Sequence, residues 1–245
     1  MQNTIIAAIS KRGGGLDSAG GLFHASGLSQ YAFTLAEVLI TLGIIGVIAA
    51  MTLPTIVNKY KERETVTKVK KFYSVMNQAL LLAIKDNGYV DEWNFLEYDI
   101  DTGSQISDKF AGYFKPYLKI LKDCGQKPGC IAPETYKQLN NSSWSNYNNS
   151  QWHYKMVLAD GSYMWLRASD LGCNTENSGT KNVCGLIWTD INGKKDPNII
   201  GKDVFVFFIM NNRIIPHSQN DCEIGKTGWG CSKYILEHDN MNYLH

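Results

Sequence analysis

Hydrophobic positions follow three different patterns along this chain. From Phe33 to Pro54, FTLAEVLITLGIIGVIAAMTLP, the apolar run is almost unbroken and carries one charge, Glu37, near its start. At about 1.5 Å of rise per residue, a helix of this length crosses a hydrocarbon core of about 30 Å. Beyond Pro54 the pattern becomes periodic. Val66, Val69, Tyr73, Met76, Leu80 and Ala83 recur at alternating gaps of three and four, with Lys68, Lys70, Lys71 and Gln78 elsewhere on the surface. That is the stripe of an amphipathic helix, and Asn87-Gly88 supplies a left-handed stop. One helix from about Leu35 to Asp86 is expected, half in lipid and half packed on a soluble domain. Pro54 removes a backbone donor and is expected to kink or locally melt it.

The third pattern is a strand pattern and fills the C-terminal part. Trp152 to Ala159 and Ser162 to Ala168 flank Asp160-Gly161, the signal of a type I′ hairpin. Leu186 to Thr189 predicts another strand, followed by a turn at Asn192-Gly193. Asp203 to Met210, DVFVFFIM, is apolar at nearly every position and suits a central strand covered on both faces. Asn211-Asn212 then turns into Arg213 to Pro216. Between helix and strands, Phe110 to Lys122 predicts a short helix interrupted at Pro116, and Asn140 to Ser150, NNSSWSNYNNS, predicts an exposed loop. The fold class expected is α+β, with a long helix packed on a four- or five-stranded antiparallel sheet.

Composition narrows the function. With 44% hydrophobic and 19% charged residues the chain is ordinary for a folded protein, and a net charge of +1 gives no basic face for nucleic acid. Cys124, Cys130, Cys173, Cys184, Cys222 and Cys231 all lie beyond the apolar run, an even count that fits disulfides in an oxidising compartment. Local pairing in sequence order is preferred among the many connectivities open to six cysteines. Zinc is disfavoured because none of the three successive spacings makes a short Cys-x-x-Cys pair. Lys59, Lys61, Arg63, Lys68, Lys70 and Lys71 outnumber Lys11 and Arg12, which alone would leave the large C-terminal part cytoplasmic. The cysteines argue the opposite topology.

Phe33, Thr34, Leu35, Glu37, the apolar tract and Pro54 resemble the N-terminal motif of type IV pilins and type II secretion pseudopilins. The resemblance implies a pilin-like fold and cleavage between Ala32 and Phe33 by a prepilin peptidase, with N-methylation of Phe33. Ala32 stands where the family usually has Gly. It further implies that Glu37 pairs with the terminal amine of a neighbouring subunit and that Pro54 lets the helix loosen in the filament. Residues 1–32 then form a removed leader, 33–54 the transmembrane half of the helix, 55–88 its amphipathic half, and 89–245 a periplasmic or extracellular head. The implied partners are like subunits, the peptidase, an assembly platform in the bacterial inner membrane, and the lipid bilayer.

Other chemistry is sparse. Asp190 to Phe205, DINGKKDPNIIGKDVF, resembles a region before the last strands of many bacterial pilin-like proteins. Its Asp190 and Asn192 resemble the start of a calcium loop, but Lys194 stands where a third ligand belongs and no Glu closes the loop. Calcium is thus a weak candidate, no other cofactor is expected, and a turn ordered by Pro197 is the preferred account. His24, His153, His217, His238 and His245 have no metal-ligand spacing, and neither a nucleophile elbow nor a phosphate loop is present. An enzyme is not expected. His153 is expected at the surface or half-buried in a strand. Trp144, Trp152 or Trp229 at the surface would stack on sugars, which gives the rival reading: a membrane-tethered module that binds glycan or calcium without entering a filament.

Overall fold

The computed structural model describes residues 34–93, 103–169 and 171–245. Contacts divide the chain into two units, one ending at Ala50 and one beginning at Met51. The first helix, α1 (Leu35–Asn87), carries straight through Pro54. The expected break is absent: proline deletes one ladder bond, to the Ala50 carbonyl, and the bonds of the flanking turns persist. Gly88 ends the helix with φ +80°, and its N–H reaches the Ile84 carbonyl at 2.9 Å.

In the second unit, α1 buries Val66, Val69, Phe72, Met76, Ala79, Leu80 and Ala83. Phe72 is buried at the position expected for Tyr73, because a 3.6-residue period from Val69 falls between the two. Both rings pack on Phe207, with centroids 5.7 and 5.8 Å away. The same core takes in α2 (Gly103–Phe114), whose Phe110 and Phe114 pack on Trp93 at 5.9 and 5.6 Å. A 3-10 turn at Lys115–Tyr117 then accommodates Pro116. The helix expected to reach Lys122 therefore ends early, and Ile120 opens a strand instead.

That strand is β1 (Ile120–Gly125). It is followed by β2 (Tyr136–Lys137), β3 (Ser143–Ser145), β4 (Tyr154–Leu158), β5 (Tyr163–Ala168), β6 (Thr175–Asn177), β7 (Thr180–Asp190), β8 (Val204–Met210), β9 (Ile214–Pro216) and α3 (Cys231–His238). The sheet has seven antiparallel strands rather than four or five, in the order β1-β4-β5-β7-β8-β9 with β6 also on β7; β2 and β3 form a separate ribbon. The Asp160-Gly161 hairpin forms, but with a three-residue loop. The Leu158 N–H meets the Ser162 carbonyl, the Gly161 N–H meets the Leu158 carbonyl, and only Gly161 has positive φ. A type I′ turn needs two such residues, so the expected turn type is replaced.

Residues alternate faithfully between the sheet's two faces. Met164, Leu166, Ile187, Phe205, Phe207 and Ile209 join the core that contains α1. Tyr163, Trp165, Leu186, Trp188, Val206 and Phe208 face a second core with Tyr136, Tyr147 and Ile200. The segment expected to be an exposed loop at 140–150 thus contains β3 and a 3-10 turn that buries Tyr147 and Asn148. Three disulfides join Cys124 to Cys130, Cys173 to Cys184 and Cys222 to Cys231, leaving no free thiol.

Candidate functional site

Three places in the chain carry residues singled out for chemistry. The first is the start of α1. Ala32 and Phe33 lie outside the described residues. Glu37 sits in the first turn, where its Oε2 accepts from the Thr34 N–H at 2.8 Å and the Thr34 hydroxyl at 2.9 Å. The Glu37 N–H returns to Thr34 Oγ1 at 3.2 Å, which completes a capping box. From there to Leu53 the large apolar side chains are exposed all round, Leu35 at 77% and Ile45 at 61%. This is the one described helix long and apolar enough to cross a membrane.

The second is the loop between β7 and β8. Asp190 and Asp203 are both buried and close enough to repel. Asp190 Oδ1 accepts from the backbone of Asn192 and Gly193, and Oδ2 from the Tyr136 hydroxyl at 3.2 Å. Asp203 Oδ1 accepts from Ile199 N–H at 2.7 Å, and Oδ2 from Asn198 N–H at 2.8 Å and Asn192 Nδ2 at 3.1 Å. Burial first, then the neighbouring charge, raises Asp190 to about 8; burial raises Asp203 to about 6. All four carboxylate oxygens are thus turned to N–H or O–H donors. The buried side-chain oxygens left without a partner there are Asn192 Oδ1 and Asn198 Oδ1, two amide oxygens against the roughly six to eight oxygens that calcium takes. No group of three metal-ligating side chains occurs among the described residues. The loop does not fit a calcium cage; its carboxylates close a turn that contains the cis Asp196-Pro197 peptide. Asp203, expected as the polar start of a strand, does as much of this as Asp190.

The third is an open cavity of about 620 Å³ on the sheet face opposite α1. Trp144 and Trp229 line it with ring centroids 5.1 Å apart, nearly perpendicular, and Trp188 stands 6.5 Å from Trp229. The Trp144 indole N–H donates to Tyr147 Oη at 2.6 Å. A ten-residue loop closed by the Cys222–Cys231 disulfide presents Thr227 and Trp229. Just before it, Asp221 accepts from the Thr227 hydroxyl, the Trp229 N–H at 3.0 Å and the Gly230 N–H at 2.7 Å. Gly230 is required there, since a Cβ would lie 1.7 Å from the Gln219 carbonyl oxygen.

His153 and His217 also line the cavity. His153, expected at or near the surface, is buried against Tyr147 and Trp188, and its Nδ1 meets the Ser150 hydroxyl at 2.7 Å. Burial lowers it to about 3 and His217 to about 4, so both imidazoles are neutral near pH 7. Trp152 is half exposed and is not part of the lining.

The class these features define is an α+β domain with a seven-stranded antiparallel sheet, carried on a helix whose first half is apolar all round. Residues 55–244 match the family of unknown function DUF6613, and the chain belongs to that family. The match begins one residue after Pro54, so it takes in the buried half of α1 and the whole head. No curated protein and no solved structure matches the chain.

Proposed function

We propose that this chain is a structural subunit of a type IV pilus-like or secretion pseudopilus filament. In this reading a prepilin peptidase cuts between Ala32 and Phe33, Phe33 is methylated, and the subunit waits in the bacterial inner membrane with its head outside. An assembly platform then draws it into a helical bundle of like subunits. The observation that carries the proposal is the contrast along α1: residues 66–83 find cover within the chain, whereas Leu35 to Leu53 find none among the described residues. One carboxylate opens the bare stretch. A helix apolar on all sides belongs in lipid or among other helices, and a charge at its end needs a counter-charge there. Small residues at Gly46 and Ala50 allow close helix approach.

The capping box supplies a clean test. Glu37→Gln removes the charge but keeps an acceptor at the third helical position, while Thr34→Val removes the box and keeps the charge. In the host, Glu37→Gln is expected to be inserted and cleaved yet lost from filaments, and Thr34→Val to assemble close to normally. Normal incorporation of Glu37→Gln would sink the charge-pair mechanism. Recovery from membranes of a chain that begins before Phe33 would sink the processing step.

A further inference from the structure

The cavity opposite α1 has a chemistry that a filament subunit does not need. Its walls are aromatic: Trp229 stands nearly perpendicular to both Trp144 and Trp188. Its polar lining consists of uncharged amides and hydroxyls, among them Gln138, Asn177, Gln219 and Thr227, and no carboxylate among the described residues lines it. One charge remains. Arg167, on β5, is half-buried at the cavity and near enough to Tyr147 and His153 to act on both electrostatically. Neither a hydrogen bond nor an ion pair engages its guanidinium among the described residues, although five N–H donors in a rigid fork favour a planar anion. Both imidazoles at the cavity are neutral near pH 7, so among the described residues that line it Arg167 alone supplies a positive charge.

Each wall selects something different in a ligand. Aromatic faces at the mouth accept the apolar C–H face of a flat ring, and amides and hydroxyls pair with hydroxyl groups. An unpaired guanidinium beside aromatic rings costs desolvation unless an anion meets it. A purely apolar ligand would leave the arginine stranded, and a cation would be repelled by it. The volume lies within the roughly 300–1,000 Å³ typical of small-molecule sites, and the disulfide and Asp221 hold Trp229 in place before any ligand arrives. We propose that this cavity binds a carboxylate-bearing sugar, the sugar ring stacking on Trp144 and Trp229 and its carboxylate pairing with Arg167. The site lies wholly in the head and does not depend on filament assembly.

The test uses the full chain in detergent, titrated with N-acetylneuraminic acid and with glucuronic acid while tryptophan fluorescence and heat are recorded. Glucose and acetate are the controls, each carrying half of the recognised chemistry. Both acidic sugars are expected to bind at least tenfold more tightly than either control. Arg167→Gln is expected to remove that preference, and Trp144→Ala to weaken all sugars at least tenfold while near-ultraviolet circular dichroism stays native. Trp144 is half exposed, which keeps that variant informative if Arg167→Gln misfolds. Glucose binding as tightly as the acids, acetate binding as tightly as the sugars, or no response to any probe would each overturn the proposal.

Discussion

Replacing Asp190 with Asn tests whether the β7–β8 loop holds a proton in its core. The substitution preserves shape: the remaining oxygen still accepts from the Asn192 and Gly193 N–H groups, and the new amide faces the Tyr136 hydroxyl. What it removes is a carboxyl raised from 3.8 to about 8 by burial and by Asp203. An acid whose folded value lies above its unfolded value binds more protons when folded. Its contribution to stability is therefore present at low pH and is lost as pH rises through about 8. Between about pH 6.5 and 7.5 the folded carboxyl retains most of one proton that the unfolded chain has already released. At about 1.4 kcal/mol per proton per pH unit, the wild type should lose about 1.2 kcal/mol relative to Asp190→Asn over that interval.

The difference between the two proteins is the quantity to measure, because other buried groups titrate nearby. His153 and His217, lowered to about 3 and 4, lose stability as pH falls below about 6.5. Lys155, fully buried with its ammonium on the carbonyls of Gln126, Asn148 and Ser150, is lowered to about 8 and changes stability above neutrality. Both proteins share these slopes, which cancel in the subtraction. All six tryptophans lie beyond α1, so urea unfolding of the full chain in detergent reads the head by fluorescence. Parallel pH profiles for the two proteins would refute the reasoning. Calcium is expected to move neither profile; a calcium-dependent gain in the wild type alone would show that the two carboxylates serve a cation after all.

Two further substitutions test the packing that supports the head. Met76→Ala, in the middle of the buried stripe, should cost about 2–5 kcal/mol through lost burial and the cavity it leaves; a loss under about 1 kcal/mol in the same urea assay would mean that α1 is not seated on the sheet. Replacing both Cys173 and Cys184 with Ala opens a loop with a sequence separation of 11 and should cost about 3 kcal/mol by loop-closure entropy, so an unchanged urea midpoint would deny that bridge a structural role.

Local signals in the sequence predict the features that depend on nearby residues. The stripe from Val66 to Ala83, the stop at Gly88, the apolar run of β8 and the Asp160-Gly161 hairpin each follow from a short period or a turn residue. Features created by distant partners are another matter. Ile120 to Lys122 reads as the end of a helix because its strand character comes from pairing with Leu158 and Val157 of β4, far along the chain. Tyr147 sits in a polar segment and is buried only because the second face of the sheet needs cover. Asp203 reads as the polar start of a strand, and its work on Asn198 and Ile199 appears once the loop folds back. Arg167 looks like an outward-facing strand residue; the cavity around it is assembled from β3, β5, β6, β7 and the loop after β9.

The start of α1 poses the sharper physical question, because hydrogen bonds and charge make separate demands there. Thr34 gives Glu37 two donors, so the carboxylate is satisfied as a hydrogen-bond acceptor. Those donors are neutral, and the net charge survives them. The positive end of the helix dipole offsets only part of it, and a carboxylate left unpaired in a membrane is costly. In the filament reading proposed above, lipid covers the apolar residues from Leu35 to Leu53, and a positive charge brought close to that turn would satisfy the group that begins them. On that reading a free amine at the end of a neighbouring helix would meet both demands at once, with an apolar helix for the side chains and an ammonium for Glu37. That is why loss of the charge in Glu37→Gln and loss of the cap in Thr34→Val should have such unequal effects on assembly.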